Sequence, residues 1–237
     1  MDERTNSDRP SIPGTLGPRW GRMAGWVVAK VIWNTEVTGI ENVPRTGPVI
    51  LAANHVGVLD GPLMIGTAPR PVHIMVKEEM FRGFSGLFFR AAGQIPVDRE
   101  GGRGALQAAL GVLKRGGVVG VFPEGNRGRG DATSARAGVA WLALNAHAPV
   151  VPVSVLGTRR TGESVSHVPA PRRRLAIEFG TPIVLGKAPG VSGRVANAAA
   201  NEAIRAALAE LVTAASARTG LLLPLDGPRS AGRARPA

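Results

Sequence analysis

Val49-Ile50-Leu51-Ala52-Ala53-Asn54-His55-Val56-Gly57-Val58-Leu59-Asp60-Gly61-Pro62 is the stretch on which the fold turns. Its first five residues are apolar without a break, and a short unbroken run of this kind reads as a strand buried on both faces. Such a strand belongs in a sheet covered by helices on each side, the arrangement typical of parallel sheets. The run ends at the polar pair Asn54-His55, and Asp60-Gly61-Pro62 can start a helix with Asp60 as its N-cap.

The same unit of strand, polar turn and helix continues along the chain. Residues 72–76, 95–97, 118–122, 150–156 and 175–179 read as further strands. Between them lie helical patterns. In 104–115, Leu106, Leu110 and Leu113 share one face and Gly116-Gly117 supplies a stop. In 134–146, Val139, Leu142 and Ala146 do the same. In 192–217 the stripe is Ile204, Leu208, Leu211 and Ala215, with Ser192 at the N-cap position. The alternation predicts a single α/β domain, with a mixed, mostly parallel central sheet flanked by helices. Functional side chains in such sheets collect just past the strand C-termini.

Residues 20–34 predict an amphipathic N-terminal helix. Met23, Val27 and Val31 form an apolar stripe, while Arg22, Trp26, Lys30 and Trp33 recur on another face. Tryptophan mixed with basic residues suits the headgroup layer of a membrane, or simple packing on the domain. Residues 1–19 and 224–237, rich in Pro, Gly, Ser and charge, read as disordered, the second as a basic tail.

Composition narrows the chemistry. The 237 residues are 44 % apolar, enough for the core of one domain. There is no cysteine, which excludes disulfides, thiolate metal sites and a cysteine nucleophile. Net charge is +12, and 25 of the 29 basic residues are arginine. That balance suits an anionic partner, although GC-rich coding produces it too. The N-terminus carries no signal-peptide pattern, and no run approaches the ~20 apolar residues of a membrane span. The expectation is a soluble or peripheral protein.

Two segments carry the chemistry, each just past a predicted strand. His55 with Asp60 five residues on is a general-base arrangement: imidazole ordinarily has a pKa of about 6.5, and a carboxylate can fix its tautomer. Asp60 as a plain helix cap is the competing reading. The second segment is Phe122-Pro123-Glu124-Gly125-Asn126-Arg127. Here a carboxylate, a glycine that admits close approach and an arginine sit in one turn, with Arg129 and Arg136 nearby. A surface carboxylate closing a turn is the simpler alternative for Glu124. Arg99 is a further phosphate-binding candidate, or an ion-pair partner of Asp98 or Glu100. Together the segments suit deprotonation of a hydroxyl beside a bound phosphate. No histidine has a partner at metal-ligand spacing, so no metal is expected.

Rival motifs are incomplete. Gly83-Phe84-Ser85-Gly86-Leu87 lacks the second glycine of a nucleophile elbow. The 180–187 loop has the wrong glycine spacing for a P-loop and ends on Ala188. At 102–107, Gln107 replaces the third glycine of a dinucleotide fingerprint.

These residues resemble the glycerolipid acyltransferases, the family that includes lysophosphatidic acid acyltransferase. Asn54, His55 and Asp60 match its Asn-His-x-x-x-x-Asp motif, and the run from Gly93 to Arg99 is similar to its second block. Phe122 to Arg127 matches its Phe-Pro-Glu-Gly-Thr-Arg block except at Asn126, and Val150-Val151-Pro152-Val153 its apolar fourth block. Lys77 resembles a lysine ahead of the second block, and Arg136 a basic residue after the third. The likeness spans roughly residues 35–215, within a domain drawn at 35–223.

The resemblance implies transfer of a fatty acyl group from an acyl-CoA or acyl carrier protein thioester, a co-substrate rather than a bound cofactor, to a glycerol hydroxyl. It implies His55 and Asp60 for catalysis, and Lys77, Arg99, Glu124, Gly125, Arg127 and Arg136 for substrate binding. The expected acceptor is 1-acyl-sn-glycerol 3-phosphate, at an anionic membrane surface on the cytoplasmic face. Glycerol 3-phosphate, another lysophospholipid or a lyso-ornithine lipid are alternatives. Gly57, Gly61, Asn126 and Gly128 depart from the family pattern, and three of these replace small hydroxyls near the acceptor. A non-catalytic binder of anionic lipid or nucleic acid is the rival of another class. The scattered basic residues and the lack of an aromatic stacking platform speak against nucleic acid.

Overall fold

The structure, a computed structural model, describes residues 12–98, 102–133 and 135–227. Seven strands form one sheet: β1 (Glu36–Thr38), β2 (Val49–Ala53), β3 (Val72–Lys77), β4 (Ile95–Val97), β5 (Val118–Val121), β6 (Val150–Leu156) and β7 (Ala176–Phe179). Their order is β1-β7-β6-β2-β5-β3-β4. Every neighbouring pair is parallel except β6 with β7.

The predicted two-sided burial of β2 holds. All five of its residues are buried. Its pleat sends Val49, Leu51 and Ala53 to one core cluster and Ile50 and Ala52 to the other. Leu63 and Met64 of α2 (Asp60–Thr67) cover the first face. The second is covered by α4 (Arg103–Lys114), α5 (Gly138–Ala146) and α6 (Gly193–Thr219), through Ala109, Leu113, Leu142 and Ile204. In α6 the buried positions Ala196, Ala200, Ile204, Leu208 and Val212 keep strict i, i+4 spacing. Ser192 caps its start, accepting from the Val195 N–H, and Gly220 ends it in the left-handed conformation.

Two elements go beyond the sequence reading. The edge strand β1 is three half-buried residues with no apolar run, and α3 (Gly83–Ala91) leaves Leu87 and Phe88 exposed, so neither carries a core-facing pattern.

The N-terminal helix differs in extent and orientation. Helix α1 (Leu16–Trp26) starts four residues before Trp20, with Pro18 in its first turn, where a missing N–H costs nothing. It continues as a wider π-helical segment, Val27–Ile32. The face against the domain is made of small residues, Gly21, Gly25 and Ala29. A Cβ on Gly25 would stand 2.8 Å from the Gly66 nitrogen of α2, so the backbones cross in near contact. Of the face that carries tryptophan and basic residues, Arg22, Lys30 and Trp33 turn inward and donate to the carbonyls of Ala68, Thr35 and Ala170, while Trp26 is half exposed. Met23 and Val31 are the residues that point outward, 69 % and 64 % exposed.

The C-terminal tail is corrected too. Residues 221–227 lie against the domain, with Leu221 and Leu223 on a small core cluster and Asp226 paired to the wholly buried Arg159. Residues 1–11 and 228–237 fall outside the described residues.

Candidate active site

Strands β2 and β5 are parallel neighbours in register, Ala52 beside Val121, so their C-terminal turns emerge together. This is what joins two segments nearly seventy residues apart. The His55 N–H donates to Glu124 Oε1 at 3.3 Å, the Gly128 N–H donates to the His55 carbonyl at 2.8 Å, and the His55 ring stacks on Phe122 with centroids 3.9 Å apart.

Within the first segment, His55 Nδ1 lies 2.8 Å from Asp60 Oδ2. A carboxylate can only accept, so Nδ1 carries the proton and Nε2 keeps its lone pair. Asp60 is fully buried, and the same Oδ2 accepts from the N–H groups of Val56 and Gly57 at 2.7 and 2.8 Å. Asp60 does not cap α2 with its side chain, because it is the first helical residue and its carboxylate bends back over the turn. Its other oxygen accepts from the Thr158 hydroxyl at 2.6 Å. Asn54 explains how β6 reaches this point. Its amide accepts from the Val155 N–H at 2.7 Å and donates to the Val155 carbonyl at 3.1 Å, riveting the ends of β2 and β6.

In the second segment Gly125 has φ +74°, and a Cβ there would collide with the Arg136 guanidinium. Only glycine serves both demands. Lys77, at the end of β3, donates to Asn126 Oδ1 at 2.6 Å. Lys77, Glu124, Gly125, Arg127 and Arg136 are therefore brought together beside His55 and Asp60, while Arg99 lies outside the described residues. Arg127 Nε is buried and has no protein partner among them. His73 is a satisfied core group, its Nδ1 2.6 Å from the Gly93 carbonyl and its Nε2 facing Arg115. No cluster of metal-ligating side chains occurs among the described residues.

A family model described as Acyltransferase matches residues 34–156, which contain both segments. The chain belongs to the acyltransferase family. It is 32 % identical over 134 residues to the 1-acyl-sn-glycerol-3-phosphate acyltransferase of Bacillus subtilis, covering 55 % of this chain and 67 % of that one. It is 34 % identical over 127 residues to the Borreliella burgdorferi protein of the same name, covering 52 % and 51 %. The match thus spans about two thirds of one relative and half of the other. The crystal structure of the Thermotoga maritima 1-acyl-sn-glycerophosphate acyltransferase PlsC has the same fold, with TM-score 0.61 and 24 % identity, over 82 % of this chain and 79 % of that one.

In this acyltransferase Glu124 is a brace rather than a free carboxylate. Burial pushes its pKa up to about 7, the charges of Asp131 and Asp60 add to the rise, and the bonds from the His55 and Ala132 N–H groups oppose it. The folded state therefore holds this proton more tightly than the unfolded chain. Its contribution to stability is full below about pH 4.5 and is lost as pH rises through about 7. Glu124→Gln keeps an acceptor for His55 without a charge to bury. Relative to this variant, the wild type is expected to lose up to about 3 kcal/mol between pH 4.5 and 8. Urea unfolding of both proteins across that range measures it, and a constant difference would contradict the assignment.

Two positions escaped the sequence reading. Thr158 has no local motif, standing 98 residues from the carboxylate it serves. Arg159, which belongs to no motif in the sequence, is 0 % exposed and bonds the Gly128 carbonyl at 3.0 Å.

Proposed function

We propose that this acyltransferase moves a fatty acyl group from an acyl-CoA or acyl carrier protein thioester to the free hydroxyl of 1-acyl-sn-glycerol 3-phosphate, giving phosphatidic acid for phospholipid synthesis. The observation that carries this reading is the direct union of the His55–Asp60 pair with the Glu124–Arg127 turn, through the His55 N–H. His55 Nε2 takes the hydroxyl proton as the oxygen attacks the thioester carbonyl. Asp60 stabilises the imidazolium that forms. Collapse of the tetrahedral intermediate breaks the carbon–sulfur bond, and the leaving thiolate recovers the proton from His55.

The acceptor phosphate is assigned to the second turn. Arg127 Nε is unpaired, and neither the Asn126 nor the Arg127 N–H has a protein partner among the described residues, whereas those of Gly125 and Gly128 are used internally. Successive free N–H groups after a left-handed residue, beside a guanidinium, suit an anion. Lys77 and Arg136 border the same turn. Arg99 is kept as a binding residue on the family resemblance alone.

Contact with an anionic membrane on its cytoplasmic face completes the proposal. It is supported by the outward stripe of Leu16, Met23, Val27 and Val31, and by Leu87 and Phe88 of α3, joined to α1 by the edge-to-face pair of Trp20 and Phe88. No described helix is long and apolar enough to cross a membrane. The test is purified protein with labelled acyl-CoA or acyl carrier protein and a panel of acceptors on vesicles: lysophosphatidic acid, glycerol 3-phosphate, lysophosphatidylcholine and a lyso-ornithine lipid. Preference for lysophosphatidic acid supports the reading. Preference for an acceptor without phosphate overturns it.

A further inference from the structure

We infer that Thr158 is a positioning residue of the His55–Asp60 pair, and that its side chain and the bare α-carbon of Gly57 are two halves of one packing arrangement. The inference rests on His55 acting as the base.

Asp60 is sealed from solvent, so each of its oxygens must find donors within the protein. Oδ2 has three: His55 Nδ1, the Val56 N–H and the Gly57 N–H. Among the described residues Oδ1 has one, the Thr158 hydroxyl at 2.6 Å. The three donors on Oδ2 hold one end of the carboxylate, and rotation about its Cβ–Cγ bond is resisted at the other end by the Thr158 hydroxyl alone. The fourth donor tightens the hold on its plane, the plane orients the bond to Nδ1, and the imidazole ring then presents Nε2 at a set angle. Thr158 is itself fully buried, so its rotamer is held by packing.

The space for Thr158 is made at residue 57. A Cβ added to Gly57 would stand 3.1 Å from Thr158 Oγ1 and 3.3 Å from both its Cβ and its carbonyl oxygen. Those separations are tighter than ordinary contact, so a larger residue at 57 requires Thr158 to give by a few tenths of an ångström, on the side that carries its hydroxyl. Two features set Thr158 there rigidly. The Asn54–Val155 bonds fix the end of β6. Gly157 then turns in the left-handed conformation, where a Cβ would come within 2.6 Å of the Arg174 carbonyl oxygen. Thr158 thus brings its hydroxyl to Asp60 from the turn that follows β6.

The experiment compares Thr158→Val, Thr158→Ala, Thr158→Ser, Gly57→Ala and the double variant Gly57→Ala/Thr158→Ala. Thr158→Val keeps the shape and removes the donor. Its kcat should fall about tenfold, the size of effect expected when one hydrogen bond orienting a base is lost, while both KM values stay within about twofold. With one donor fewer, the Asp60 carboxylate binds the imidazolium more strongly, so the acid limb of the kcat profile should move to higher pH. Thr158→Ser should recover most of the rate. Gly57→Ala should lose rate alone, and add nothing to Thr158→Ala because the two act through one contact.

The downfield proton NMR signal of His55 Nδ1–H, identified by its loss in His55→Gln, supplies a readout that needs no substrate. It should shift in Thr158→Val and return toward its original position in Thr158→Ser. An unmoved signal and unmoved pH limb, with only a lowered melting temperature, would overturn the inference and leave Thr158 a packing residue. If Thr158→Val does not fold, the contrast between Thr158→Ser and Gly57→Ala decides by the same two readouts. Failure of every acceptor in the panel would instead count against the proposed function, and the NMR shift would still judge Thr158.

Discussion

His55→Ala is expected to lower kcat by about 10²–10⁴ while leaving the KM of acceptor and donor nearly unchanged. The size follows from the proposed mechanism, in which His55 is the one base. The other described histidines lie elsewhere: His73 is tied to the Gly93 carbonyl, His147 ends α5 and His167 pairs with Glu163. The selectivity for kcat follows from what the substitution leaves intact. The links from His55 to the second turn run through its backbone, from its N–H to Glu124 and from the Gly128 N–H to its carbonyl, so the turn proposed to hold the phosphate keeps its anchor. What disappears is the imidazole, with its stacking on Phe122 and its bond to Asp60. Some stability goes with them, and a melting curve run beside the assay separates that loss from catalysis. Steady-state rates with labelled acyl-CoA and lysophosphatidic acid measure the prediction; a variant with full kcat would remove His55 from the role of base. Asp60→Asn is a poorer probe. An amide would place an NH₂ group against either the Val56 and Gly57 N–H groups or the Thr158 hydroxyl, and the buried turn would be disturbed along with the proton relay.

What the sequence made legible is what is written locally. β2 and β5 are apolar runs ended by polar turns, so each reads as a buried strand, whereas their adjacency, with β3 and β4 between them in the chain, is set by the sheet order. The spacing from His55 to Asp60 is a property of one turn, so it survives translation into geometry, down to a 2.8 Å bond. Contacts between distant turns left no such mark. Thr158 and Arg159 follow a strand in a run that reads as an ordinary loop, and their roles come from β6 lying beside β2. The orientation of the N-terminal helix has a related cause. Hydrophobic periodicity assumes that apolar residues seek the core, yet here glycines buy close approach of two backbones and turn the apolar stripe outward. Residues 224–227 look disordered by composition, but Asp226 meets the buried Arg159 guanidinium through both its carboxylate and its carbonyl, and the Leu225 N–H donates to the Thr161 hydroxyl.

That guanidinium carries the second large effect. Arg159→Met is expected to cost about 3–5 kcal/mol of folding stability, the range seen when one partner of a buried ion pair is removed. Arg159 Nη1 donates to Asp226 Oδ1 at 3.1 Å and to the Glu163 carbonyl at 3.0 Å; Nη2 donates to the Asp226 carbonyl at 2.7 Å and the Gly128 carbonyl at 3.0 Å. Methionine fills much of the volume but strands all four acceptors. Asp226→Ala should cost less, about 2 kcal/mol, because Asp226 is 21 % exposed and Arg159 keeps its carbonyl partners. The double variant should cost less than the sum, since the second change no longer orphans a charge. Urea midpoints at constant m value give these differences. The same substitution reaches function through Gly128, which lies one residue beyond Arg127 and is held on its other side by the His55 carbonyl. Freed from Arg159, that turn should bind the acceptor phosphate less well, raising acceptor KM more than it lowers kcat. An Arg159→Met protein as stable as the wild type would show that the guanidinium fills space without tying the C-terminal segment to the site.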